Sequence, residues 1–547
     1  MRTFFFCLKE NFHSWKSCLK CNIQTNNTVK KTSPIHSKWN YTKLLVKEGT
    51  DLNDHTKGFI STSPNFQHLI RNSVLWIDKS KLIEEILEDD EWMVYLITAP
   101  PQMGKTINLQ MFAFYCQLTF HENGKIMNRI NSPNYRYFTK GEIVHENGTV
   151  QRTFEPPLIS NYKNNHLHLA RYPVIHIPGE MLNSRCKNLS CFSIMISRIY
   201  QEYASLKIHL SELSKTGSFV ERIKAAGNLN IINMYSDQET SSKLSEGYLQ
   251  ISIEILSKIL NETYGSPVII IYDKYDYFIQ DTFFGDANFD KNATEKFKLF
   301  LLDFIMTTFE TNKYLKKAIF TGVLPIEEVT TYFEINNTAN NAASVFIFGE
   351  RDLFPYYGIF RQEFDYVTAV LKIDETLKSE AISYYGGYRA LHHLDVEMFS
   401  MYSVKEFLNN FRVDDYLHPT SLMNTITDFF KQTRFKSDMV NLMGQWQNES
   451  QVVTISDCYL NTLNFNIYEK LRNISHSGRK EAYSEDHQPM VFSFLLHLGL
   501  MSLHPVQTEY SPLFKASCVK LKIPNREIQN ILQNISSRAI DNLIQKT

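Results

Sequence analysis

Residues 98–106 read Thr-Ala-Pro-Pro-Gln-Met-Gly-Lys-Thr. The last three supply what a phosphate-binding loop needs: a glycine that admits close backbone approach, a lysine to reach the β- and γ-phosphates, and a hydroxyl able to ligate Mg²⁺. The prolines work against this, because Pro100 and Pro101 have no N–H to offer an anion. Context decides. Residues 93–98, Met-Val-Tyr-Leu-Ile-Thr, form an apolar run of strand length, and residues 107–117, INLQMFAFYCQ, read as a helix with an apolar face. A buried strand, a turn and a helix N-terminus are the setting in which backbone amides cradle phosphate. The donors that matter most come late in the loop, at Met103, Gly104, Lys105 and Thr106, and all of these survive.

Further along, PVIIIYDKYDYF (residues 267–278) is the most convincing strand in the chain, ending in charge at Asp273. A P-loop ATPase places a carboxylate at such a strand end to hold Mg²⁺, commonly with a second carboxylate beside it to orient the attacking water. Here the neighbour is Lys274, which is no base at neutral pH. The plainer alternative is a charged turn in which Lys274 pairs with Asp276. YPVIHI (172–177) and KKAIFTGVL (316–324) read as further strands, and SVLWIDKSKLIEEILED, residues 192–206 and EKFKLFLLDFIMTTF as helices. Strands alternating with helices predict a parallel α/β sheet. Residues 131–170 read as a long connection or insertion, and 211–247 as a polar, Lys/Ser-rich segment. Past residue 330 helical runs such as SVKEFLNNF and MVFSFLLHLGLM dominate. The expected organisation is therefore a poorly ordered extension at 1–60, a P-loop NTPase-like three-layer core at 61–330, and a mostly α-helical lid and C-terminal region at 331–547.

The 547 residues exceed one hydrophobic core, and 43% hydrophobic with 21% charged residues fits a folded protein. A formal net charge of −1 provides no field steering the chain to nucleic acid, which is not expected as a partner. No run approaches the roughly twenty apolar residues of a membrane span, so no membrane association is expected. Eight scattered cysteines imply a reducing, intracellular setting, cytoplasmic or nuclear. Cys7, His13, Cys18 and Cys21 lack a second ligand pair at zinc spacing and read as free thiols and an ordinary histidine. The basic excess over residues 1–40 resembles a mitochondrial presequence only weakly.

With these stretches in hand, the chain resembles the AAA-ATPase-like family, predicted P-loop ATPases often fused to a PD-(D/E)XK nuclease-like domain. TAPPQMGKTINLQMF is similar to the family's Thr-Arg-Pro-Arg-Arg-Phe-Gly-Lys-Thr-Leu-Asn-Leu loop, WIDKSKLIEEIL to its opening helix, and YPVIHI to its Tyr-Pro-Val-Ile strand. IYDKYDYF resembles its Ile-Asp-Glu-Tyr-Asp strand end, KAIFTGVLPI its Thr-Gly-Ile-Leu-Arg strand, and YYGGYRA its Tyr-Asn-Gly-Tyr-Arg. SFLLHLGLMSL and LKIPNREI resemble its closing segments. The likeness runs in the family's order over about residues 65–530.

The resemblance implies ATP and Mg²⁺ as ligands. Met103, Gly104, Lys105 and Thr106 would hold the phosphates and Thr106 and Asp273 the metal, with Arg389 a secondary nucleotide-binding candidate from the lid. The departures from the pattern bear on turnover. Loop arginines are replaced at Ala99, Pro101 and Gln102, Lys274 stands at the usual Glu, and Pro325 stands at the usual Arg. Parts for holding the nucleotide persist while parts for hydrolysing it are depleted, which predicts a pseudo-ATPase acting as a nucleotide-dependent switch or scaffold with an unidentified protein partner. Two alternatives stand beside it: an active ATPase using Asp276 or an unidentified carboxylate, and an interaction module that no longer binds nucleotide. The chain stops about twenty residues after IPNREI, so no nuclease activity is expected.

Overall fold

Five strands, Val94–Thr98 (β1), Val174–Pro178 (β2), Val268–Asp273 (β3), Leu315–Gly322 (β4) and Ala343–Phe346 (β5), form one parallel sheet in the order β2-β3-β4-β1-β5. Sequence explains both the strands and their parallel sense. Every residue of β1 is buried, as are the first five of β3, so helices must cover both faces. The computed structural model describes residues 43–52, 59–61, 63, 65–145, 148–182, 189–284, 290–335, 343–346, 353–390, 393–417, 423–444, 452–456, 463–475, 482–505 and 518–544. Cys7, His13, Cys18 and Cys21 lie outside these. The expected α/β architecture with a P-loop-like core is the one observed.

Register places the chemistry. Asp273 pairs across the sheet with Pro178 on one side and Thr321 on the other, and Thr98 lies opposite Gly322. The carboxyl ends of β1, β3 and β4 are therefore level, and open α/β sheets bind ligands at that edge. Helix Lys105–Cys116 (α1) begins there. It is buried from Leu109 to Cys116 except at Gln110, and Asn108 Nδ2 donates to the Tyr356 carbonyl (2.7 Å).

Two segments read as polar connections are structured. Residues 131–170 contain the helix Pro133–Lys140, capped by Ser132, and an antiparallel pair, Glu142–Val144 with Val150–Thr153. Residues 211–247 are mostly helical. Phe219–Ser236 starts from a Ser218–Glu221 capping box and buries Ile232 and Tyr235, the latter stacked on Tyr200 at 4.6 Å. The 3.6-residue periodicity of this helix is masked by its many polar residues.

The later part of the chain contributes more than helices. β5 comes from it, as do two three-stranded antiparallel sheets, one built from Ile359–Phe360, His393–Phe399 and Tyr388–Ala390, the other from Val453–Ser456, Cys518–Lys522 and Ser502–Leu503. It also shares an apolar core with the segment before β1: Phe59 and Leu75 pack with Ile359, Phe364, Tyr385, Phe399 and Phe407. The Asp-Lys of WIDK fastens this junction. Asp78 accepts from the amides of Ser80 (2.9 Å) and Leu158 (2.6 Å). Lys79, fully buried, bonds Glu363 at 2.5 Å and donates to the Pro355 carbonyl at 3.1 Å.

Candidate functional site

β1 hands over to α1 through a loop whose backbone turns left-handed twice, at Gln102 (φ 65°) and Gly104 (φ 87°). Gly104 is the N-cap of α1 and provides no side-chain bond, so the first-turn amides are left for another acceptor. Pro100 is used through its carbonyl. Lys105 Nζ donates to the carbonyls of Ala99 (2.6 Å) and Pro100 (2.7 Å), folding the lysine back over its own loop. Loss of water around the ammonium lowers its pKa to about 8, a shift partly opposed by the charges of Asp276 and Asp273.

The level strand ends bring α1 and β3 together. Thr106 Oγ1 donates to Asp273 Oδ2 at 2.8 Å, and Thr321 Oγ1 donates to Asp273 Oδ1 at 2.6 Å. Asp273 thus sits between two hydroxyls from two flanking elements. Sequence reasoning singled out Thr106 and Asp273 but not Thr321, whose signal was its place before Gly322 at the end of a buried strand.

Asp276 is completely buried and lies at the same edge. Its Oδ2 accepts from the amides of Val323 (2.9 Å) and Leu324 (2.7 Å) and from Gln280 Nε2 (2.7 Å), while Oδ1 has no partner. Burial raises its pKa against the pull of those bonds and of Lys105. Gly322 is obligatory beside it, because a Cβ there would lie 2.5 Å from the Tyr275 ring and 2.7 Å from Asp276 Oδ1.

Lys274 also borders this edge but pairs away from Asp276. Its backbone is left-handed (φ 55°), and its Nζ lies 3.5 Å from Glu180 Oε2, just past the end of β2. The pairing with Asp276 considered from sequence is therefore replaced by a pairing with Glu180, because the left-handed turn directs the side chain toward β2. Arg389 is not brought to this edge: its NH1 donates to the Leu394 carbonyl, its own amide donates to Ser502 Oγ (3.0 Å), and it does not line the cavity described next. Pro325, at the position of the family's arginine, accepts through its carbonyl from the Leu463 amide (3.0 Å).

A cavity of about 460 Å³ lies over the loop. Its polar floor is Lys105, Thr106, Asp273 and Asp276. Its apolar wall includes Leu69, Trp76 and Ile77, and its roof is the helix Met401–Asn410 (α2), through Met401, Val404, Lys405 and Leu408. The roof was invisible to local reading, since nothing in MYSVKEFLNN marks it as facing a loop 300 residues earlier.

Residues 146–331 match a family model described as predicted AAA-ATPase. The chain carries an AAA-ATPase-like domain. The matched stretch holds β2, β3 and β4 with Asp273, Lys274, Asp276 and Pro325, while the Gly-Lys-Thr loop precedes it. That loop nevertheless follows a strand of the same sheet, because β1 is hydrogen-bonded directly to β4. No curated protein matches the chain. Among the described residues, no helix is long and apolar enough to cross a membrane, and no group of three or more His, Cys, Asp or Glu side chains is arranged to hold a metal by itself.

Proposed function

We propose that the chain binds ATP with Mg²⁺ at this edge, turns it over weakly or not at all, and works as a nucleotide-dependent switch or scaffold for a protein partner. The observation that carries the reading is the Thr106–Asp273 hydrogen bond, which joins the end of the Gly-Lys-Thr turn to a carboxylate 167 residues away. A hydroxyl and a carboxylate in contact beside a lysine are the donor set that a Mg–nucleotide requires. The residues present fit that group. Thr106 and Asp273 would hold the metal, and Lys105 with the amides of residues 103–106 would hold the phosphates. Bound Mg²⁺ supplies charge neutralisation for the phosphate oxygens.

Support for weak turnover comes from Lys274 and Pro325. The first is tied to Glu180, and the second has no cation to offer where an arginine is worth roughly 10³–10⁵ in rate. A second reading, active hydrolysis, draws on the unpartnered Asp276 Oδ1. Against it, the other oxygen of Asp276 is committed to the 323–324 turn.

The test is calorimetric titration of ATP–Mg²⁺ into wild type and Lys105→Ala, followed by phosphate release. Binding that needs Lys105, with release no faster than background, is the expected result. Release that depends on Lys105 would move the protein to the active class. No binding by either protein would leave an interaction module.

A further inference from the structure

The loop at residues 100–104 is held from outside by four contacts from three separate parts of the later chain. The Gly358 amide donates to the Met103 carbonyl (2.9 Å), and the Tyr402 amide approaches the Gln102 carbonyl (3.4 Å). Gly499 packs so closely on Pro100 that a Cβ there would lie 2.9 Å from Pro100 Cβ. The fourth contact differs in kind. A Cβ on Gly104 would lie 2.6 Å from Met401 Sδ and 2.8 Å from its Cε, so the thioether fills the space that glycine leaves open for close approach.

Met401 is well placed to move. It is the first residue of α2, only partly buried, and lies on the cavity-facing side of that helix with Val404, Lys405 and Leu408. An unbranched thioether has three rotatable bonds and can leave a gap by rotamer change while the backbone stays where it is. The helix itself is anchored elsewhere. Ser403 Oγ donates to Glu527 Oε2 (2.9 Å), and Asn409 accepts from the amides of Phe59 and Ile60 (2.9 Å each) while donating to the Ile60 carbonyl (2.8 Å).

We propose that Met401 gates the phosphate site: its side chain closes the Gly104 side of the loop in the resting protein, and an incoming phosphate tail displaces it. The proposal rests on the nucleotide-binding reading above. Lys105 rests in a matching state, its ammonium occupied by the carbonyls of Ala99 and Pro100 until a better acceptor arrives. The loop is thus closed twice, by bulk at Gly104 and by its own carbonyls at Lys105.

The experiment is calorimetric titration of ATP–Mg²⁺ into wild type, Met401→Ala, Met401→Leu and Lys105→Ala. If the gate is shut in about nine-tenths of molecules, removing it tightens apparent binding about tenfold. Met401→Leu, which keeps the bulk, binds no tighter than wild type. Met401→Val gives an intermediate gain and stands in if the alanine protein does not fold. Binding by Met401→Ala alone also supports the gate. Equal or weaker binding by Met401→Ala, when wild type binds, overturns the gate and leaves the nucleotide reading intact, as does tightening by Met401→Leu. No binding by wild type or Met401→Ala removes both.

Discussion

Raising the pH above 7 should weaken nucleotide binding although the ligand's phosphates are already ionised there, and Lys105 sets the size of the effect. Its pKa is lowered to about 8 by burial, against an ordinary value of 10.5. A phosphate tail beside the ammonium restores the charged form, so binding takes up a proton wherever the free protein has lost one. From pH 7 to pH 9 the free lysine passes from mostly protonated to mostly neutral. With the bound pKa back near its ordinary value, apparent affinity falls about tenfold over those two units, or roughly 1.4 kcal/mol. The assay is calorimetry at pH 7, 8 and 9 in buffers of different ionisation enthalpy, which counts the protons directly. Lys105→Arg stays charged throughout and should give a flat profile. Wild-type affinity that is constant from pH 7 to 9, with no proton uptake at pH 9, would refute the reasoning.

Other perturbations test the scaffold around the site. Asp276→Ala strips an acceptor from two backbone amides and Gln280, and should lower unfolding free energy by about 2–4 kcal/mol in urea melts; a loss under about 1 kcal/mol would mean the turn does not depend on it. Lys79→Met leaves Glu363 buried without its partner and should cost about 3–5 kcal/mol, while Lys79→Met with Glu363→Leu recovers most of that loss. Glu328, whose Oε1 accepts from the Phe465 amide, is pushed up to about 7 by burial. A carboxyl with a raised folded pKa stabilises fully below its unfolded value, and that contribution is lost as pH rises through about 7. Wild type should therefore lose about 1–3 kcal/mol between pH 5 and 8 that Glu328→Gln does not lose, as read from thermal melts at both pH values.

Much of this was legible locally. VIIIYD and MVYLIT announce buried parallel strands because five apolar residues in a row leave no solvent face, and the Gly-Lys-Thr turn follows one of them. Thr106 and Asp273 could be named because each sits at a fixed offset from such a strand. What escaped depends on partners distant in sequence. Glu180 captures Lys274 only because β2 and β3 are neighbours, and Met401 reaches Gly104 only because the later chain folds back over the loop. The helix Phe219–Ser236 was missed for another reason. Its buried residues are few, although the Ser218–Glu221 capping box stood in the sequence as a start signal. β5, at four residues in an Asn-rich stretch, is too short to assert itself against its surroundings.

The strand order has a consequence in time. Both neighbours of β1 are made after it: β4 begins roughly 220 residues later and β5 later still. At about 5–20 residues per second, the ribosome needs roughly 10–45 s to deliver the first of them. For that interval a strand buried along its whole length has two open edges and neither of its native partners. Yield in cells should then depend on how fast translation proceeds through residues 99–322 and on chaperones that can hold Val94–Thr98 in the meantime.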